Sequence, residues 1–238
     1  MATFTSFASR LPDPNFGVGE DGSTSNSPII GPGFKTVSFS SEQPTSISRT
    51  NSGRVITRAI VAHRWKVQIT YNPMTRDSFE PVYNFLLEKR GRLKPFFVAL
   101  PQNANTRTTT SGTIRTQGTI TSGDTNFIVD NMDNVSGGLR PGDMINFADS
   151  NNSNHKKAYQ VVRVHTSGNK LASDSALNTS DERRIYVVPP VEKDVTDNSS
   201  IVYANPLLRV IQTSDTQQYS LGTNNLYTFT LNLEEAQP

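Results

Sequence analysis

One segment near the middle of the chain constrains the fold more than any other: 64-RWKVQITYNPMTRDSFEPVYNFLLEKRGRLKPFFVALP-101. Its first residues alternate apolar and polar side chains, which is typical of a strand with one buried face. A helical pattern follows Pro73, and an almost wholly apolar strand ends the segment. The segment therefore predicts a helix packed against a sheet. It contains no cysteine, no histidine and no convincing acid–base pair.

The predicted helix covers about 76–89, and its apolar residues recur at spacings of three and four. Thr75 is the expected N-cap, and Pro81 is tolerated only in the first turn or so, where its missing N–H is not needed. Gly91 is the expected residue just beyond the helix. The predicted core joins this helix to its flanking strands and to the C-terminal strand, through Trp65, Val67, Ile69, Tyr71, Phe79, Tyr83, Leu86, Phe97, Phe229 and Leu231.

Further strands are predicted on both sides of this unit. Alternation indicates strands at 35–40 and 54–60, and the segment 226–236 has the same texture as 64–71, so we expect those two to pair. After residue 103 the chain changes to short strands joined by polar turns, which favours a small β-barrel or sandwich. These strands are predicted at 125–129, 143–148, 158–164, 184–189 and 200–204.

The predicted fold class is mainly β with one amphipathic helix (α+β). We expect an antiparallel β-sandwich-like domain over 35–102 plus 206–238, and an inserted small β-barrel, OB-like or galectin-like, over 103–205. The composition agrees, because hydrophobic residues make up only 34% and charged residues 18%, with 15 Gly and 14 Pro. Such a chain is suited to strands and turns rather than to many helices.

Residues 1–34 are predicted to form an extended N-terminal arm. The segment 19-GEDGSTSNSPIIGPG-33 is small and polar, and it cannot bury enough apolar surface to offset its ordering entropy alone. It is either a disordered tail or an arm that becomes ordered against a neighbouring subunit. The second reading is favoured by apolar anchors, and Phe4, Phe7 and Phe16 are candidate interface residues.

The sequence contains no recognisable catalytic, metal or cofactor site. The absence of cysteine excludes disulfides, thiolate nucleophiles and zinc–thiolate centres. The histidines His63, His155 and His165 are not spaced as metal ligands. Carboxylate neighbours such as Asp77 and Glu80 occur in any soluble protein. We therefore expect no enzyme activity and no cofactor.

The charge distribution suggests contacts between subunits rather than nucleic-acid binding. The net charge is only +2, from 23 Lys and Arg against 21 Asp and Glu, so no general attraction to nucleic acid follows. A basic cluster at the helix end is either a solvated turn or a contact with an acidic neighbouring subunit, and acids in the inserted region suggest head-to-tail contacts. The candidate interface residues are Lys89, Arg90, Arg92, Lys94, Arg54 and Arg58.

The run 49-RTNSGRVITRAIVAHRWKVQITY-71 followed by 73-PMTRDSFEPVYNFLLEKRGRLKPFFVALP-101 resembles the distal tail (tail-hub or baseplate-hub) proteins of tailed bacteriophages. The resemblance lies in the aromatic strand, the Pro-Met-Thr-Arg corner, the helix, the Arg-Gly turn and the apolar strand ending in Leu-Pro. The segments 139-LRPGDMINFA-148 and 158-AYQVVRV-164 are similar to the β-barrel insertion of such proteins. The arm and the loop 168–184 have no counterpart.

The resemblance implies a structural protein of the virion tail, made in the host cytoplasm. It implies a homo-oligomeric ring, expected to be a hexamer, at the distal end of the tail tube. The implied partners are copies of itself, the tail tube protein and baseplate hub or tip proteins, with no membrane and no specific nucleic acid. The alternatives are a tail-tube initiator or cap, a baseplate wedge component, or a carbohydrate-binding module for host attachment. Exposed barrel aromatics, with Tyr159, Tyr186 and Tyr203 as candidates, would support the last.

Overall fold

The computed structural model describes residues 9–14, 17–18, 29–60, 63–153, 155–166, 171 and 174–236. This part of the chain is mainly β with one α-helix, and it contains a closed six-stranded barrel, which confirms the predicted fold class. In chain order the elements are β1 (Gly17–Val18), β2 (Ile29–Ile30), β3 (Phe34–Glu42), β4 (Thr45–Arg49), β5 (Val55–Ala59), β6 (Arg64–Tyr71), α1 (Arg76–Glu88), β7 (Phe96–Ala99), β8 (Arg115–Gln117), β9 (Asn126–Asp130), β10 (Met144–Ala148), β11 (Tyr159–His165), β12 (Arg183–Val188), β13 (Ser200–Val202), β14 (Leu207–Gln212), β15 (Tyr219–Leu221) and β16 (Tyr227–Glu235).

The chain divides into two compact units. The first comprises residues 1–98 and 210–236, and the second comprises 99–209 together with 237–238. The second unit therefore interrupts the first in sequence, and the predicted insert, 103–205, lies inside its bounds. We call the first the hub unit and the second the barrel unit.

The main sheet of the hub unit has the strand order β3-β6-β16-β14-β7, and β15 pairs with one end of β16. The expected pairing of the two alternating strands is present, because Ile69 of β6 lies opposite Leu231 of β16 in an antiparallel ladder. Helix α1 packs on this sheet. Its Phe79 ring lies 6.1 Å from that of Phe229, and its Phe85 ring lies 5.3 Å from that of Phe96 on β7.

Most of the predicted hub core is buried. Tyr83 and Phe97 are only half-buried, because the inward position of β7 is taken by Phe96, and Tyr83 lies at the edge of α1. The predicted core residues with 5% exposure or less are Trp65, Val67, Ile69, Tyr71, Phe79, Leu86, Phe229 and Leu231.

The ends of α1 differ in detail from the prediction. Thr75 occupies the N-cap position with an extended backbone, but its side chain makes no capping hydrogen bond. Pro81 lies in the second turn rather than the first, so it has no N–H for the Asp77 carbonyl one turn earlier. Because Pro81 is buried while Asp77 is exposed, water can satisfy that carbonyl.

The described part of the predicted arm packs on its own hub unit. Ser9 and Leu11 bracket Phe97 at the outer edge of β7. The Leu11 N–H donates to the Phe97 carbonyl at 2.8 Å, and the Phe97 N–H donates to the Ser9 carbonyl at 2.7 Å. Leu11 is 1% exposed, and an Arg10–Asp13 ion pair of 2.7 Å closes the turn behind it. Residues 9–14 thus form a strap, named here the edge strap, that covers one edge of the sheet.

The barrel unit is a closed antiparallel barrel with the strand order β10-β11-β12-β9-β8-β13, where β13 pairs back to β10. Along its short strands, side chains point alternately into and out of the barrel, and the inward side chains form one apolar cluster. Members of this cluster include Ile114, Ile120, Phe127, Val129, Ile145, Phe147, Tyr159, Val161, Ile185, Val187, Val195 and Ile201.

Two buried polar groups tie barrel loops to the strands. His155 is 1% exposed, and its Nε2 lies 2.6 Å from the Tyr159 hydroxyl. Burial, with smaller contributions from nearby lysines, lowers the pKa of His155 to about 4. Asp149 accepts the N–H groups of Thr196 and Asn151, each at 2.9 Å. Burial opposes ionisation of this carboxylate, but the hydrogen bonds outweigh it and lower the pKa of Asp149.

We predict that Leu11→Ala destabilises the hub unit by about 2–5 kcal/mol, since the mutation leaves a cavity under the edge strap. The free energy of unfolding from urea titration measures the change. Leu93→Ala is the matched control, because Leu93 is 67% exposed, and we expect a change within about 0.5 kcal/mol. Equal effects of the two substitutions would contradict the strap's role.

We predict that barrel stability falls as the pH drops from 6.5 towards 4. Above pH 6.5 His155 is neutral in both the folded and the unfolded state. Below it the unfolded state binds a proton that the folded state, with a pKa of about 4, does not bind. The loss reaches about 3 kcal/mol near pH 4. The contribution of Asp149, whose folded pKa is depressed, is lost only at lower pH.

Urea titrations at several pH values, made on the native chain and on His155→Gln, test this prediction. The variant has no imidazole to protonate, so its unfolding free energy should depend less on pH between 6.5 and 4. An unchanged slope in the variant would contradict the assignment to His155.

Candidate assembly surface

Four exposed apolar side chains of the hub unit lie on one hairpin that extends beyond the main sheet. Strands β3 and β6 pair as far as Glu42 and Arg64, and the chain then continues into β4 and β5, which pair only with each other. Every described side chain of this hairpin is exposed. We call residues 45–60 the arm hairpin. Its five-residue strands give it a length of about 17 Å.

Both faces of the arm hairpin carry large apolar residues. Opposite residues in an antiparallel ladder share a face, so the register puts Ile47 and Val55 on one face and Ile56 on the other. Ile60 alternates with Val55 and therefore joins Ile56. Their exposures are 64% for Ile47, 51% for Val55, 53% for Ile56 and 50% for Ile60. Neither face is covered by any other described residue.

The arm hairpin is also strongly basic. It carries Arg49, Arg54 and Arg58, and the sequence has no acidic residue between Glu42 and Asp77. All three arginines are exposed. The two candidate interface residues Arg54 and Arg58 are therefore brought together with exposed apolar side chains on one projecting element.

The predicted basic cluster at the end of α1 is only partly a surface feature. Lys89 is 6% exposed, and its ammonium lies 4.6 Å above the Phe85 ring and 3.6 Å from Glu88, so Lys89 is not available to a partner. The prediction that Lys89 belongs to the surface cluster is therefore wrong. A lysine can bury its aliphatic stem while its ammonium group interacts with an aromatic ring, as Lys89 does with Phe85. Arg90, Arg92 and Lys94 are exposed.

The turn that presents these basic residues is tightly built. Arg90 and Gly91 both have positive φ angles, 54° and 63°. The N–H of Arg92 donates to Asp215 Oδ1 at 3.2 Å, and its guanidinium donates to the Thr213 carbonyl. A Cβ at Gly91 would lie 2.8 Å from Asp215 Oδ1, so this turn requires glycine both for its backbone and for the close approach of Asp215.

A second exposed patch lies at the other end of the hub sheet. Phe79 is the centre of an aromatic cluster, with ring distances of 5.1 Å to Tyr83, 5.0 Å to Tyr219 and 4.6 Å to Tyr227. Tyr219 is 44% exposed, while Tyr83 and Tyr227 are half-buried. Leu87, one helical turn after Tyr83, and Leu221, opposite Tyr227, are also exposed. We call this patch, Tyr83, Leu87, Tyr219, Leu221 and Tyr227, the aromatic surface.

The remaining candidate interface residues, Phe4, Phe7 and Phe16, lie outside the described residues. The predicted opposition of charge between the two parts of the chain is slight as a net charge, because residues 103–205 contain eleven acidic and ten basic residues. Charge differences in this chain are local, as in the arm hairpin.

Several polar groups of the barrel unit are joined by hydrogen bonds and close charge contacts. Asp174 accepts a hydrogen bond from the Tyr186 hydroxyl at 2.5 Å and lies 3.4 Å from His165 Nδ1. The hydrogen bond from Tyr186 is the main reason that the pKa of Asp174 is lowered. Burial and then the charges of Asp181 and Asp197 raise the pKa of Asp130. Among the residues described, no three His, Asp or Glu side chains come together in a way that could hold a metal ion.

The barrel tyrosines offer little to a sugar. Tyr159 is fully buried. Tyr186 is half-buried and bonded to Asp174, and the hydroxyl of half-buried Tyr203 donates to the Gly112 carbonyl. Among the described aromatic residues, Tyr219 of the hub unit has the largest exposed fraction, 44%.

Comparison with protein-family models and with curated proteins finds no relative. No protein-family model matches the chain, and no curated protein matches it at a significant level. The α-helix within the described ranges, α1, has 13 residues, and no helix there is long and apolar enough to cross a membrane.

Sequence reasoning named Arg54 and Arg58 of the arm hairpin but missed Arg49, the exposed apolar residues of the hairpin and the aromatic surface. The signal for the hairpin was available in the Asn-Ser-Gly turn between two alternating segments and in the long stretch without acids. No comparable signal marks the aromatic surface, because Tyr83 and Tyr227 have the same spacing as core residues.

We predict that Gly91→Ala destabilises the chain more than Gly118→Ala does. Both glycines have positive φ angles, 63° and 78°, but a Cβ at Gly118 meets nothing within 4 Å. The backbone cost of about 1–2 kcal/mol is shared, and the clash with Asp215 adds about 1–3 kcal/mol at Gly91. Thermal unfolding of the two variants measures the difference. Equal losses would show that Asp215 moves aside freely.

Proposed function

We propose that this protein is a structural component of a bacteriophage tail, forming a homo-oligomeric ring at the distal end of the tail tube that connects the tube to the baseplate or tip complex. The observation that carries the proposal is the arm hairpin, which exposes Ile47, Val55, Ile56 and Ile60 on two faces of an isolated two-stranded ribbon. The distal-tail resemblance of residues 49–101 includes the turn and the second strand of this hairpin.

The arm hairpin is better suited to an assembled state than to a free chain. A two-stranded hairpin is marginally stable in water by itself, and packing against a partner is the usual remedy. Covering each half-exposed isoleucine or valine contributes about 1 kcal/mol, so the four together favour association by several kcal/mol. Exposed apolar residues grouped in this way are typical of a protein–protein contact.

The rest of the hub unit supports the same role. The edge strap and α1 stiffen the sheet, and the exposed Arg90, Arg92 and Lys94 leave a charged turn for neighbours. A stable contact between copies buries on the order of 1,000 Å² or more, and closure of a ring multiplies its effect. Interfaces of this kind, rather than a reaction centre, are the activity that we assign to the chain.

The alternative positions in a tail, a tube initiator or cap and a baseplate wedge component, need the same kind of hairpin and differ from the hub in location. A carbohydrate-binding module for host attachment is less well supported, because Tyr159, Tyr186 and Tyr203 are all packed or hydrogen-bonded within the barrel unit.

Cryo-electron microscopy of the intact particle tests the proposal. We expect a closed ring that fits this chain at the junction of the tail tube and the tip. Particles carrying Ile47→Ser together with Ile56→Ser should lose the ring while the purified variant stays folded, because neither side chain contributes to the core.

Val162→Ser is the matched control, since Val162 is 47% exposed but lies on the barrel unit, outside the hairpin, and it should leave the ring intact. Density for this chain at a peripheral fibre or spike, away from the tube axis, would overturn the proposal in favour of a host-attachment module.

A further inference from the structure

We infer that the arm hairpin of one copy binds the aromatic surface of a second copy of this chain. The inference rests on the proposed function, because it names the contact by which neighbouring copies in the ring hold one another. Each patch is then covered by another copy of the same protein, and neighbouring copies are arranged head to tail.

The two patches lie at opposite ends of the hub sheet. The register pairs Lys66 with Glu234 and Thr70 with Thr230, so β16 runs from the Tyr71 end of β6 towards its Arg64 end. The arm hairpin continues from the Arg64 end. The aromatic surface lies at the other end, where Tyr227 exchanges backbone hydrogen bonds of 3.0 and 2.8 Å with Met74 and pairs with β15.

This separation prevents the two patches from meeting within one hub unit, because the eight residues of β6 span about 25 Å. Between copies the same separation is an advantage. Two different patches on one chain form a heterologous contact, and a heterologous contact generates a ring when the rotation between copies closes.

The chemistry of the two patches is complementary. The arm hairpin carries three arginines and no acid. The first two turns of α1, which end at Tyr83, carry Asp77 and Glu80 against a single arginine, Arg76, and Arg76 pairs with Glu80 at 2.5 Å. Guanidinium groups also stack on aromatic faces, and the aromatic surface presents three tyrosines beside two leucines. Tyrosine and arginine are the residues that most often dominate protein–protein contacts.

The apolar parts match as well. Ile47 and Val55, or Ile56 and Ile60 on the other face, are met by Leu87 at 48% exposure and Leu221 at 53%. Arg49 lies opposite Val55, and Arg58 lies two residues from both Ile56 and Ile60, so either face offers an arginine beside its apolar pair. The hairpin can therefore dock through one face and leave the other to a further neighbour.

Cysteine pairing tests the inference directly, because the native chain has no cysteine. We would mix full-length Val55→Cys with full-length Leu221→Cys, add a short bis-maleimide, and measure the covalent dimer by gel and mass spectrometry. Ile56→Cys with Leu221→Cys reports the opposite face. Val162→Cys replaces Leu221→Cys as the control, since Val162 is 47% exposed and lies outside the aromatic surface.

We expect at least one of the two hairpin positions to couple to Leu221→Cys about tenfold more than to Val162→Cys, as a preference of that size in binding would give. Adding Arg54→Glu and Arg58→Glu to the hairpin variant should remove the preference. Yields no higher than the control for both hairpin positions would overturn the inference.

The outcome is separable from that of the proposed function. A ring in the particle together with no preference for Leu221→Cys would leave the ring function standing and reject this contact. Strong coupling to Leu221→Cys with density at a peripheral fibre would retain the contact between copies and reject the hub position.

Discussion

The hub unit depends on the pairing of β6 with β16, two strands separated in sequence by more than the whole barrel unit. Ile69 opposite Leu231 and Val67 opposite Leu233 form the central rows of the sheet, and the Trp65 N–H reaches Glu235 Oε2 at 3.3 Å at one end of the ladder. Closing so long a loop is slow and entropically costly, so the ladder needs the apolar cover that α1 supplies. With that cover in place, the barrel unit is free to form its own core and needs no strand from the hub sheet.

The sequence was sufficient for the parts of the fold in which alternation and burial coincide. In 64–71 and 227–235 each apolar residue marks the covered face, so strands, pairing and core were all predicted. Where a strand is apolar throughout, as in β7, alternation has no contrast, and Phe97 was chosen although Phe96 is the buried residue. The three-residue strands β8 and β15 are too short to show a period at all.

The candidate site was harder to predict, because periodicity reports which residues share a face and not whether another element covers it. Val55 and Ile56 have the pattern of a core strand, yet none of the residues that the structure describes forms a second layer over them. Lys89 shows the reverse error. A lysine at a helix end is normally solvated, but here the Phe85 ring and the helix surface enclose it. Both cases turn on tertiary cover, which a single sequence does not encode locally.

The edge strap makes the two edges of the hub sheet different. Because Ser9 and Leu11 occupy the hydrogen-bonding groups of Phe97, the β7 margin is closed by the protein's own chain, while no described residue pairs with the outer margin of β3. A sheet that is sealed on one side can accept a foreign strand only on the other. The hub sheets of many copies therefore cannot pair edge to edge in an endless row. Such endless pairing is how exposed edge strands lead to fibrous aggregates. The few residues of the edge strap thus protect the hub sheet from open-ended association.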